Sequence, residues 1–551
     1  MKALIRQALV AFFLAVSAGA WAGLQEGTDA YDRGDYQIAL EELKLLNGDN
    51  RAQFLLGVMY EQGQGVPHDD KVAAGWYRKA AEQGDAAAQY NLGRMHDLGQ
   101  GVPQDDKLAA EWYRKAAEQG DADAQYNLGL MYRQIRGVPQ DDKLAAEWFR
   151  KSAEQGNADA QNSLGLLYDL GQGVPQDDKL AVEWYRKAAE QGNAEAQNNL
   201  GIMYRQGQGV GRDYKLAEEW YRKAAEQGNT DAQHNLAMLY DMGNAATSEH
   251  KLAEEWYRKA AEHGDVEAQN SLGIMYHLGH GVVQDYQLAA EWYRKAAERG
   301  SAEAQHNLGI MYHQGQGVPQ DNKIAAEWYR KAAEQGISSA QYDLGMMYRK
   351  GIGVPQDDQL AAEWFLKAAK QENADAENNL GAMYLEGKGV PQDTGKAVTW
   401  YFSAARRGSV EAQYNVARLY DLGKIVPQDL KLAAQMYRMA AEHGKAEAQN
   451  SLGTMYRNGQ GIQQNDNMAV LWFLKAAEQG NAAAQYNVGM MYKAGNGVPT
   501  DLVQACKWLN LAVLAGDEDA QKAIKPLEDK MKREEIEKAL AMARGWLARH
   551  K

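Results

Sequence analysis

Residues 85–120 read DAAAQYNLGRMHDLGQGVPQDDKLAAEWYRKAAEQG, and this stretch decides the fold. Gly84-Asp85 opens it, with a glycine suited to end one helix in the left-handed conformation and a short polar side chain suited to cap the next. Ala88, Leu92, Met95 and His96 share one face with Gly93, which predicts a helix from about Ala86 to Leu98. Gly99 and Gly101 close that helix, Val102-Pro103 stiffens the turn, and Asp105 can cap a second helix over about Asp106 to Gln119. In this second helix Ala109, Trp112, Tyr113, Ala116 and Ala117 form one apolar stripe. On its outer face Glu111 and Lys115 stand at the spacing of an i,i+4 ion pair.

The same pattern recurs through the chain. Tryptophan returns every 36 residues from Trp76 to Trp400 and again at Trp472 and Trp508, with Met436 at the one missing beat. Residues 49–516 divide into thirteen such units without insertion or deletion, and nine of the ten prolines fall in the Pro103 column. A helix pair this short cannot bury its own apolar faces, so each must stack on the next. The expected fold is all-α, a right-handed α/α superhelical solenoid of 36-residue helix-turn-helix repeats. Residues 23–48 read as an N-terminal capping helix pair turning at Gly34-Asp35, and 517–551 as C-terminal capping helices. There Pro526 is expected to break a helix, with Leu527, Met531, Ile536, Leu540 and Leu547 on the inner side of a long final helix. Ile337 and Lys445 interrupt the capping column, Ile135-Arg136 and Glu372 alter turns, and repeat 6 carries GNAATSEH at 243–250.

Charge and cysteine content narrow the function. A formal net charge of −14 lacks the basic footprint of a nucleic-acid binder and disfavours an anionic membrane surface. Residues 1–22, MKALIRQALVAFFLAVSAGAWA, combine Lys2 and Arg6, a short apolar run and an Ala20-x-Ala22 site, as in a cleaved signal peptide. The expectation is an exported protein, periplasmic or secreted, without a membrane span after cleavage. Cys506 is the only cysteine, so no intramolecular disulfide forms, and it sits in a column of small apolar residues.

Taken together, A-x-x-x-L-G-x-x-Y, G-x-G-V-P-x-D and A-x-x-W-Y-x-K-A-A-x-x-G resemble the Sel-1-like repeat family, a relative of the tetratricopeptide repeats. The resemblance implies a scaffold or adaptor for other proteins, its exported bacterial members being associated with envelope assembly, signalling and host contact. It also implies that the first helices line the concave side. A disulfide-rich subgroup is linked to β-lactam or cell-wall compounds; the single cysteine here departs from that pattern.

A partner-binding surface should vary between repeats, unlike columns that occur thirteen times. Five variable columns (Tyr90, Asn91, Arg94, Asp97 and Leu98 in repeat 2) share one arc of the first helix. The candidate groove residues are Tyr90, Asn91, Tyr126, Asn127, Arg133, Asn199, Arg205, Asn235, His277, Asn307, His313, Tyr342 and Arg349. Two roles fit the asparagine column: amides that pair with an extended peptide backbone, or bonds that stitch adjacent repeats. Alternating Asp97, Arg133, Asp169, Arg205 and Asp241 are either a recognition pattern or mutually neutralising charges. His306 and His313 would lie about 10 Å apart along a helix, too far to share one zinc ion at bonds of about 2 Å. His277 with His313 remains a geometric alternative. No P-loop, H-E-x-x-H or framed G-x-S-x-G occurs. The reading is a non-enzymatic, monomeric scaffold with no catalytic residue, cofactor or metal, binding a protein or extended peptide. A cell-wall or carbohydrate binder is the alternative, and a hydrolase of β-lactam or cell-wall compounds ranks below both.

Overall fold

The structure is a computed structural model that describes residues 23–242 and 247–550. The signal segment read at 1–22 and part of the irregular turn of repeat 6, 243–246, lie outside the described residues. Among the described residues every regular element is a helix, and none is long and apolar enough to cross a membrane. They form two compact units: one runs up to Ala268 and includes His280–Val282, and the other comprises Gln269–Gly279 and the chain from Val283 onward. Each unit is a solenoid of helix pairs in which a helix packs chiefly on its neighbours in sequence.

Repeat 2 shows how the pair is built. Its helices span Ala86–Leu98 and Asp106–Glu118. Asp85 accepts a hydrogen bond from the Ala88 N–H, and Asp105 accepts from those of Lys107 and Leu108, satisfying donors that a helix start leaves free. At Ile337 and Lys445 the helix begins without a side-chain cap, as the capping column implies. Two glycines set the distances. A Cβ on Gly93 would stand 2.9 Å from the Tyr113 ring, so its absence lets the paired helices close on each other. Gly101 has φ +68°, and a Cβ there would come within 2.2 Å of the Asp70 carbonyl oxygen in the preceding repeat. The turn of one repeat therefore rests directly on the backbone of the one before.

The core holds a polar column that the apolar periodicity did not disclose. Gln89 is buried and donates through Nε2 to the Ala81 carbonyl (3.0 Å), while Gln119 Nε2 donates to its Oε1 (2.7 Å). One amide thus satisfies a carbonyl in the last turn of the preceding second helix and locks onto the end of its own second helix. The arrangement returns at Gln125 with Gln155, Gln197 with Gln227, Gln305 with Gln335 and Gln449 with Gln479.

Several expectations need correction. Tyr113 is fully buried, but Trp112 is only half-buried, and most of its counterparts behave alike; Trp292, Trp472 and Trp508 are the buried ones. Lys115 does not reach Glu111: its Nζ lies 3.7 Å from the Trp112 ring centroid, and the same i,i+3 pairing recurs at 3.7–4.0 Å in nine consecutive repeats. A partly exposed indole attracts the ammonium and also covers its methylene stem, which a solvated carboxylate cannot do. A further correction concerns Pro526. It lies inside the helix Glu518–Glu528, in the last turn, where its fixed φ is helical and the bond lost with its N–H falls close to the helix end, and the chain turns only afterwards. In the last helix, Arg533–Arg549, the buried edge is Ala539, Ala543 and Trp546, whereas Leu527 is buried from the shorter helix. At the other end, helices at 23–32 and Tyr36–Leu45 bury Ala30, Ala39 and Leu43 against Ala52, Leu56 and Met59.

Candidate partner-binding face

The thirteen candidate residues lie on first helices and are all half-buried. Most of the asparagines bond across repeats. Asn199 donates to Asn162 Oδ1 (3.1 Å), Asn235 to Asn198 (2.9 Å) and Asn307 to Asn270 (3.3 Å). Asn415 with Asn378 and Asn487 with Asn450 make the same bond at 3.0 and 2.9 Å. The acceptor is always the residue in the preceding repeat that aligns with Tyr90. Where that residue is tyrosine, the amide turns back on its own helix: Asn127 donates to the Asp123 carbonyl (3.0 Å) and Asn379 to that of Asp375 (2.8 Å). Asn91 aligns behind Phe54 and makes neither bond. Each stitched amide keeps a second N–H, so stitching leaves a donor on the face.

Tyr90, Tyr126 and Tyr342 lean on the buried rings of Tyr113, Phe149 and Phe365, with centroids 5.8, 5.8 and 5.9 Å apart. Burial raises all three phenol pKa values, so they are neutral hydroxyls at physiological pH. The alternating charges do not pair with each other. Asp97 takes Arg136, the residue that makes repeat 3 irregular, and also accepts from the Tyr113 hydroxyl (3.4 Å). Asp169 accepts from Tyr185 (3.5 Å), and Asp241 bonds His250 Nδ1 (3.3 Å). Arg133 reaches Gln172 Oε1 at 3.5 Å, Arg349 donates to Asn379 Oδ1, and Arg205 faces Tyr221, where it opposes the rise that burial imposes on that phenol. Arg136 was legible as an irregularity but not as the partner of Asp97, because 39 residues separate them.

The histidines have separate surroundings. His277 stands edge-on to Tyr286 and Tyr293, centroids 5.5 and 6.2 Å away, and burial lowers its pKa. His313 Nδ1 lies 2.7 Å from Asn322 Oδ1, and His306 Nε2 lies 2.8 Å from Asp343 Oδ2, on the same rung that the asparagines use elsewhere. Among the described residues no group of three or more His, Cys, Asp or Glu side chains is placed to hold a metal ion. Cys506 is buried, which pushes its thiol up to about 11 and keeps it protonated at neutral pH. Beside these polar groups the face carries exposed apolar side chains: Leu98, Leu170 and Met242 in one unit, Leu278 and Leu422 in the other.

A scaffold of repeated structural positions carrying a variable face defines a tandem α/α repeat protein. Thirteen consecutive segments, from 50–85 to 482–517, match the Sel1 repeat, and the chain belongs to that family. The matched frame begins one residue later than the boundary drawn at Asp49. Among solved structures the chain is similar to c5321, described as a protective antigen of uropathogenic Escherichia coli with an SLR fold. Identity is 34%, covering 87% of this chain and 95% of that one, with a TM-score of 0.63. A Sel1 repeat protein from Oxalobacter formigenes shows 35% identity over 56% of this chain and 89% of its own, with a TM-score of 0.46. No curated protein matches the chain at a significant level. Sel1 repeat arrays are generally protein-interaction scaffolds and usually carry no catalytic activity.

Proposed function

We propose that this protein is an exported, non-enzymatic scaffold that holds a protein or extended peptide segment against the variable face of its first helices. One observation carries the reading: the recurring side chains already have structural work, and the side chains that differ between repeats gather on one face of the first helices. Asp105 caps, Gln89 and Gln119 bond each other, and Lys115 covers Trp112. Arg114 bonds the Tyr132 hydroxyl of the next repeat at 2.8 Å. The Tyr90, Arg94, Asp97 and Leu98 columns change identity from unit to unit, mixing aromatic, aliphatic and charged groups as protein interfaces do. The relative described as a protective antigen supports an exported location, as does the leader-like sequence at 1–22. Asn199, Asn235 and Asn307 contribute through the N–H that stitching leaves over.

Photo-crosslinking in the native envelope tests this. A crosslinking amino acid at Leu98, Leu170 or Leu278 should give adducts with one discrete protein, and at Glu111, Glu183 or Glu291 on second helices it should not. Adducts confined to the second set, or to cell-wall glycan, would overturn the proposal. N-terminal sequencing of the exported protein should begin after Ala22, and an intact Met1 would remove the cleaved-leader part.

A further inference from the structure

Repeats 10 and 11, both within the second unit, concentrate three departures on the variable face. The position of Asp97 carries a polar or charged residue in every repeat but the tenth, which has Leu385. The position of Arg94 is mostly filled by Leu, Ile or Met, but repeat 10 has the small Ala382 and repeat 11 has Arg418. Repeat 11 also lacks the second turn glycine and places Ile425 there. Where that glycine is present it rests on the preceding backbone too closely for any Cβ, as at Gly461, where a Cβ would stand 2.0 Å from the Leu430 carbonyl oxygen. Ile425 cannot sit so close. The result is a cleft of ≈ 350 Å³ with Ala382, Leu385, Leu422 and Ile425 in its wall and Arg418, Lys424 and Glu386 beside them. Leu422 and Ile425 remain 54% and 45% exposed.

The internal comparison with repeat 2 shows what is missing. Arg94 is paired with Glu61, which occupies the Asp97 position of the preceding repeat. Opposite Arg418 that position is Leu385. Glu386, next along, is taken by Lys388 at 2.8 Å. Among the described residues no carboxylate forms an ion pair with Arg418 or Lys424, although the chain as a whole carries −14. The same backbone that neutralises one arginine from within leaves another beside an apolar pit. At physiological salt the distant negative charges are screened over about 8 Å, and the one carboxylate lining the cleft, Glu386, is held by Lys388, so Arg418 and Lys424 carry the charge there that no ion pair offsets.

We propose that this cleft docks an extended acidic segment of a partner protein. One carboxylate side chain of the segment pairs with Arg418, as Glu61 does with Arg94, and a neighbouring side chain of leucine size enters the pit. Lys424 adds a second attraction. The inference rests on the reading of the first-helix face as the binding face, and names the chemistry recognised at one place on it.

The test uses the full-length protein and a fluorescein-labelled nonapeptide with Asp-Leu-Asp between Gly-Ser flanks, with anisotropy as the readout. Saturable binding is expected, with Lys-Leu-Lys and Asp-Ser-Asp peptides weaker. Arg418→Leu should weaken Asp-Leu-Asp binding about tenfold or more. Leu385→Glu, which rebuilds the Glu61–Arg94 arrangement, should abolish binding while leaving the helical circular dichroism and melting temperature intact. Absence of saturable Asp-Leu-Asp binding, equal binding of Lys-Leu-Lys, or binding indifferent to Leu385→Glu in the folded protein would overturn the proposal. So would variant-sensitive binding of a heparin hexasaccharide in place of the peptide. Partner adducts at Leu98 or Leu278, with no Asp-Leu-Asp binding, would sink this cleft but keep the scaffold; no adducts from the first-helix face would sink the scaffold reading itself.

Discussion

Ile135 holds φ +60° at a turn where Gly99 and Gly171 adopt +71° and +66°. A β-branched side chain is poorly suited to this region, and 64% exposure gives it little packing in return. Ile135→Gly should therefore stabilise the protein by about 1 kcal/mol, read by urea unfolding, the gain tempered by the freer unfolded chain of glycine. Glu372, at φ +67° in the place of a terminating glycine, is a useful contrast. Its carboxylate pairs with Arg407 at 2.7 Å, so Glu372→Gly loses a contact while relieving strain and should gain less than Ile135→Gly. An equal or larger gain would mean the pair contributes nothing. At this scale the sequence was readable wherever chemistry is local. The caps at Asp85 and Asp105 and the uncapped starts at Ile337 and Lys445 follow from residue type and spacing alone. Trp112 was not, because helical spacing puts it at the edge of the apolar stripe, and only the packed neighbour decides whether an edge residue is covered.

At the scale of the element, the glutamine pairs join helix to helix inside the core. Gln305 donates to the Ala297 carbonyl at 3.0 Å and accepts from Gln335 at 2.8 Å. Gln305→Leu keeps an apolar volume but strands both partners, and should cost about 1–3 kcal/mol in chemical unfolding; a neutral effect would mean the column is dispensable. Repeat 10 rewrites the contact: Glu377 replaces the buried glutamine and accepts from Ser403 (2.7 Å) and Arg407 (3.3 Å). Ser403 stands where most repeats carry the lysine of the tryptophan pair, so Trp400 lacks that cation. Three exchanges thus form one unit. The helix boundaries were legible in advance because caps and the Pro103 column mark them. The partnerships were not, since Gln89 with Gln119 and Asn199 with Asn162 depend on which residue lies across a packed pair, and periodicity reports only that a column is constant.

On the scale of the molecule, each unit is held by contacts between consecutive pairs. Thirteen-residue helices are marginal alone, and the pair leaves apolar faces that only a neighbour covers. A peptide of residues 85–120 should accordingly show little helix and no cooperative melt by circular dichroism; a sharp transition would mean that a single repeat is stable without its neighbours. The repeat number and the family follow from a period of 36 residues that nothing interrupts. What the period hides is the individuality of single repeats, such as the cleft beside Arg418, which arises because Leu385, Ala382 and Ile425 depart together.

The glycine that rests on the preceding backbone has a consequence for inheritance. Gly101 meets the main chain at Asp70 and Gly137 meets it at Asp106, so this contact, unlike the asparagine stitches, does not depend on which side chains the adjoining copies carry. Unequal crossover between two copies at the same register would preserve that junction. The gene can therefore gain or lose whole repeats while the seam stays sound, and selection is free to edit the side chains displayed between seams.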